Sequence, residues 1–129
     1  MDVDLVIHAL PHQLDAFVQR IEQEDLYVSD VAAHEALANR TSFNVVDPVS
    51  GWKADLIVRK VRDFSEEEFR RRQPIDFLGV PVDVASLEDI VLSKLEWAKL
   101  GESARQLEDV GMIASCTRCT VECICPRCR

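Results

Sequence analysis

The stretch Met1-Asp2-Val3-Asp4-Leu5-Val6-Ile7 constrains the fold more than any other. It reads as a β-strand carrying two carboxylates two residues apart. Side chains alternate across a strand, so Asp2 and Asp4 share one face while Val3, Leu5 and Ile7 share the other. Two acids side by side repel each other unless a positive charge lies between them. A divalent cation is the usual solution, because Mg²⁺ is held by one or two carboxylates together with substrate phosphates. The plainer reading is a pair of solvated acids on a frayed strand end. The rest of the chain decides between the two.

Pro11 stands where a helix can start, since a first-turn proline gives up no needed N–H. Leu14, Phe17, Val18 and Ile21 then recur at three and four residues, which predicts an amphipathic helix to about Glu24. A short strand follows at residues 26–28, then an alanine-rich helix from Val31 to Asn39. Residues 41–46 and 52–60 are strand-like and flank the turn Asp47-Pro48-Val49-Ser50-Gly51, which predicts a hairpin. In its second strand Ala54, Leu56 and Val58 face one way, and Asp55, Ile57 and Arg59 the other. An aspartate in so apolar a strand conflicts with strand propensity, and such conflicts mark functional positions. Ser65-Glu66-Glu67-Glu68 has the pattern of a capping box opening a short charged helix to about Arg72. Residues 75–84 read as two extended pieces around a Gly-Val-Pro turn. Ser86-Leu87-Glu88-Asp89 caps a further helix ended by Gly101, with Leu87, Ile90, Val91, Leu95 and Ala98 as its apolar positions. A last helix is expected over residues 103–114. The sum is an α+β fold with a small mixed sheet flanked by helices.

A chain of 129 residues suits one domain with a modest core. Its net charge of −8 argues against non-specific binding to nucleic acid or to an anionic membrane. No apolar run approaches the roughly 18 residues of a membrane span, and no secretion signal is evident, so a cytoplasmic location is expected. His8, His12 and His34 lack metal-ligand spacing and read as surface or helix-end residues. Trp52 and Trp97 read as core. Neither a serine-centred hydrolase motif nor a glycine-rich phosphate loop of the Walker type is present. All five cysteines fall between Cys116 and Cys128. Cys116-x-x-Cys119 and Cys125-x-x-Cys128 have the pair spacing of zinc knuckles, although the five residues between the pairs are fewer than usual. Three readings stand for this tail: structural Zn²⁺ on Cys116, Cys119, Cys125 and Cys128, an exposed redox-active thiol cluster, or a segment without function.

Three stretches taken together resemble the polymerase-beta-type nucleotidyltransferase superfamily, in the small bacterial branch that includes minimal nucleotidyltransferases and toxins of abortive-infection systems. They are Asp2-Val3-Asp4-Leu5-Val6-Ile7, Gly51-Trp52-Lys53-Ala54-Asp55-Leu56-Ile57-Val58, and Ser86-Leu87-Glu88-Asp89-Ile90-Val91-Leu92-Ser93-Lys94-Leu95-Glu96-Trp97 with Gln106-Leu107-Glu108-Asp109-Val110. The resemblance covers residues 1–114, with residues 115–129 as a cysteine-rich tail. It implies a catalytic metal-binding triad of Asp2, Asp4 and Asp55 for Mg²⁺ or Mn²⁺. It implies transfer of a nucleotidyl group from a nucleoside triphosphate to a hydroxyl acceptor, with metal ions clamping the triphosphate. Asp55 either deprotonates the acceptor or completes a metal site. Lys94 and Asp109 match positions of the toxin-type branch with a nucleotide-facing role; the plainer reading of both is helix-surface charge.

The family also carries a Gly-Ser turn ahead of the paired acids, where backbone N–H groups hold the triphosphate. That element has no counterpart before Asp2. The resemblance therefore implies a nucleotidyltransferase-like core truncated at its N-terminus, with weakened triphosphate binding. The competing expectation is a catalytically inactive relative that acts as an interaction or toxin–antitoxin component. A homodimer or a protein partner would then cover the sheet edge left open.

Overall fold

The computed structural model describes residues 2–101 and 104–117, the side chains of residues 2, 104–106 and 115–117 excepted. The chain is α+β. In order it forms β1 (Asp2–Ile7), α1 (Pro11–Gln23), β2 (Tyr27–Val28), α2 (Asp30–Asn39), β3 (Ser42–Val46) and β4 (Lys53–Val58). There follow α3 (Asp63–Arg70), β5 (Gln73–Phe77), β6 (Val80–Val84), α4 (Leu87–Lys99) and α5 (Ala104–Thr117). The chain divides into two units, residues 1–66 and 67–129. Among the described residues no helix is long and apolar enough to cross a membrane.

The first unit is built on a four-stranded sheet of order β1-β4-β3-β2. β3 and β4 form the expected antiparallel hairpin, Phe43 opposite Leu56 and Val45 opposite Ala54. Asp47 fixes its turn: one carboxylate oxygen accepts from the Val49 N–H at 2.9 Å, and the other accepts from the Ser50 hydroxyl. Gly51 supplies the positive φ of 75° that closes the loop. β1 joins the far side of β4 in parallel, which makes the sheet mixed. The core lies on one face, where Phe43, Val45, Leu56 and Val58 pack with Leu14 and Val18 of α1 and with Ala33 and Ala36 of α2. The small alanines bring α2 close to the sheet, and Phe17 meets Phe43 edge to face at 6.5 Å.

His34 ties α2 to α1. One ring nitrogen contacts the Asp30 carbonyl oxygen at 2.9 Å and the other contacts Asp15 Oδ1 at 2.8 Å. Both partners are acceptors, so both contacts are hydrogen bonds at once only when the ring is imidazolium, and the pair favours that form. The bond to the Asp30 carbonyl, then that to Asp15, raises its pKa above the usual histidine value. Its contribution to stability is accordingly full below the unfolded pKa of about 6.5 and is lost as pH rises through the higher folded value. NMR titration of His34 is expected to show the raised pKa, and Asp15→Asn is expected to lower it; an unchanged midpoint would dismiss the Asp15 contact.

The second unit pairs β5 with β6 as a separate hairpin and packs α4 with α5. Its turn is Leu78-Gly79, with φ of 54° and 81°, one step before the Gly-Val-Pro position the sequence indicates. The Asp76 carboxylate accepts from the Gly79 N–H at 2.8 Å and so selects the earlier turn. Pro81 lies within β6, tolerated because a two-stranded ribbon has only edge strands. Four other expectations are corrected. α3 begins at Asp63, so Ser65 is no cap but a buried helical residue accepting from Arg62 Nε at 2.9 Å. The Arg62 carbonyl, which accepts from the Glu66 N–H, already serves as the first acceptor of that helix. Trp52 is not core: at the end of the hairpin turn, it is 48% exposed. Leu87 and Leu95 of α4 are more than 40% exposed, whereas Asp89 is buried. α5 runs three residues past its expected end and includes Cys116.

Candidate functional site

Parallel pairing of β1 with β4 brings the acids together. Asp4 stands opposite Asp55, and Asp2 opposite Lys53. On the other side of β4, Asn44 of β3 stands opposite Asp55. Adjacent strands lie about 4.8 Å apart, and paired positions point to the same face. Asp4, Asp55 and Asn44 therefore form one row across three strands, on the face opposite the core. The local reason is the alternation of β4, in which Leu56 and Val58 are buried and Asp55 and Ile57 are not. A cavity of ≈ 320 Å³ lined by Ile7, Leu14, Phe17 and Leu56 lies against core residues, on the face away from the acids.

Asp4 is exposed, and the Asp55 side chain is 29% exposed. The two oxygens of Asp55 differ. Oδ1 is buried and accepts no hydrogen bond, and the Lys53 ammonium stands 3.2 Å from it. An ion pair at that length without a directed hydrogen bond leaves the lone pairs of Oδ1 for another partner. Hard carboxylate and amide oxygens in one row suit Mg²⁺ or Mn²⁺ rather than a thiophilic metal. Of the expected triad, the structure brings Asp4 and Asp55 opposite one another on neighbouring strands. Asp2 belongs to β1 at the register of Lys53, with its side chain outside the described residues. Among the described residues no three His, Cys, Asp or Glu side chains converge as a metal site.

Lys94 and Asp109 belong to the second unit and are brought together. Lys94 Nζ donates to Asp109 Oδ2 at 2.7 Å, linking α4 to α5, each side chain about a quarter exposed. Of the four cysteines expected to hold Zn²⁺, Cys116 lies in α5, and Cys119, Cys125 and Cys128 lie outside the described residues.

Lys53 and Asn44 carry no role in the sequence reading, although Asn44 joins the row of acids and Lys53 stands beside it, opposite Asp2. A signal for Lys53 was present: it precedes Asp55 by two residues on one strand and so shares its face. Asn44 becomes visible only when the hairpin register is known. No protein-family model and no curated protein matches the chain.

Proposed function

We propose that this chain is a metal-dependent nucleotidyltransferase-like protein of the polymerase-beta type, transferring a nucleotidyl group from a nucleoside triphosphate to a hydroxyl acceptor. The observation that carries this reading is the parallel register of Asp4 with Asp55, two carboxylates some fifty residues apart in sequence set side by side on the face opposite the core. A purely structural sheet gains nothing from such a pair, because like charges opposite one another destabilise a sheet. The buried Oδ1 of Asp55, which accepts no hydrogen bond and has the Lys53 ammonium beside it, is a second support.

In this reading Asp2, Asp4 and Asp55 hold Mg²⁺ or Mn²⁺. When bound, the metal supplies Lewis-acid stabilisation of charge on the phosphoryl oxygens. Asp4 and Asp55 present the oxygens that would hold the ion, and Asp55 either completes that metal site or takes the proton of the acceptor hydroxyl. The test is incubation of the folded protein with Mg²⁺ and α-labelled nucleoside triphosphates, beside an Asp55→Ala control. Transfer of label in the parent alone is expected; neither binding nor transfer in the parent would overturn the reading.

A second reading is an inactive relative acting as an interaction component. It is favoured by the place of β1 at the sheet edge, where Val3, Leu5 and Val6 are each more than 40% exposed. Edge strands with apolar side chains are templates for pairing. Under this reading the chain dimerises through β1. Sedimentation is then expected to show a concentration-dependent dimer that Leu5→Lys dissolves; a monomer at all concentrations would dismiss it.

A further inference from the structure

Among the described residues of the first unit, Lys53 is the cation paired with Asp55. It lies two residues before Asp55 on β4, and its register partner on β1 is Asp2. Its ammonium is 3.2 Å from Asp55 Oδ1, the same buried oxygen that has no hydrogen-bond donor. We infer that Lys53 is a resident counter-ion of the acidic row, occupying the position of a divalent ion and competing with it. This inference rests on the metal-site reading above and adds its regulation.

The physical reason is charge. Carboxylates at adjacent register positions repel, and a sheet that must fold before it meets a metal needs a cation there. A lysine suits the purpose because its ammonium is a point charge on a flexible stem, able to leave without disturbing the backbone. Lys53 is about one-third exposed, so solvent is open to it when displaced. Mg²⁺ binds carboxylate oxygen at about 2.0–2.1 Å, so a metal and the Lys53 ammonium on one oxygen would stand within about 5 Å. At that separation a divalent and a monovalent cation repel strongly, and one must go. Metal loading therefore requires Lys53 to swing off Oδ1, which sets the metal affinity of the free protein low.

The test is Mn²⁺ titration followed by the electron paramagnetic resonance signal of free Mn²⁺, on the full chain without nucleotide. Lys53→Met is expected to bind Mn²⁺ about fivefold more tightly than the parent or better, the upper range for loss of an exposed ion pair. Lys53→Arg, which keeps the charge, is expected to stay near the parent. Lys60→Met, which removes the same charge elsewhere, is also expected to stay near the parent. Asp55→Asn is expected to abolish the site in either background. Parent-level affinity in Lys53→Met, with parent binding still sensitive to Asp55→Asn, would overturn the counter-ion role and leave the metal site standing. Equal tightening in Lys53→Arg or Lys60→Met would also overturn it. Absence of Mn²⁺ binding in folded Lys53→Met would remove the inference together with the metal reading.

Discussion

On the proposed nucleotidyltransferase function, Asp55→Asn is expected to lower transfer by about 10³-fold while leaving the protein as stable as the parent. The rate effect follows from removing one negative oxygen from the row in which metal and acceptor would be aligned; a factor of 10³ corresponds to about 4 kcal/mol of transition-state stabilisation. The stability side follows from the geometry. Asn is isosteric with Asp, and the side chain is 29% exposed, so no cavity opens. The ion pair with Lys53 is lost, but partly exposed pairs contribute only about 0–1 kcal/mol. Against that loss stands the relief of repulsion from Asp4 at the neighbouring register position. The two terms nearly cancel. Label transfer and a thermal melt of the same preparation check both halves. Activity retained in Asp55→Asn would remove that residue from the chemistry. A large fall in melting temperature would mark it as a structural residue instead.

How far the chain could be read from its sequence differs between elements for physical reasons. The β3–β4 hairpin was legible because its signals are local: alternation in both strands, and Asp47 with Gly51 in the turn between them. The α+β class was legible for the same reason. The pairing of β1 with β4 was not, because parallel partners meet through a crossover containing α1, β2, α2 and β3, and no local pattern encodes their register. The opposition of Asp4 to Asp55 is thus a product of tertiary structure, and so is Asn44 beside them. Ser65 does not cap because a capping pattern is defined by spacing alone, while the start of α3 is set by the Arg62 carbonyl, three residues earlier in the chain, as the first acceptor of the helix. Lys53 has no legible role in the sequence, because a cation two residues before an acid on one strand is ordinary until the register sets that acid opposite another.

Asp89 was read as part of a cap, and its cap is formed: the Ser86 hydroxyl accepts from the Asp89 N–H at 3.2 Å and donates to Asp89 Oδ2 at 2.7 Å. What the sequence could not indicate is the third partner, Arg71, eighteen residues earlier. Arg71 Nε donates to Asp89 Oδ2 at 3.1 Å, and a terminal nitrogen donates to Oδ1, a two-point fork. The Asp89 side chain is only 2% exposed, while that of Arg71 is 47% exposed. The Arg71 guanidinium, followed by the Ser86 hydroxyl, holds the Asp89 carboxyl below the ordinary carboxylate range against the opposing effect of burial. Asp89→Ala is therefore expected to destabilise the chain by about 2 kcal/mol, below the 3–5 kcal/mol of a fully buried pair because Arg71 can turn to water. In a domain of this size that lowers the melting temperature by about 10 °C. The pH dependence has a definite sign. The contribution is full above the unfolded Asp pKa of about 3.9 and is lost as pH falls through the lower folded value. Urea melts of the parent should therefore weaken more steeply below pH 4 than those of Asp89→Asn, which has no carboxyl to titrate. Arg71→Lys is expected to lose much of the same stability, since an ammonium cannot reproduce the fork. Parallel acid profiles for the parent and Asp89→Asn would show that this fork does not hold the second unit together.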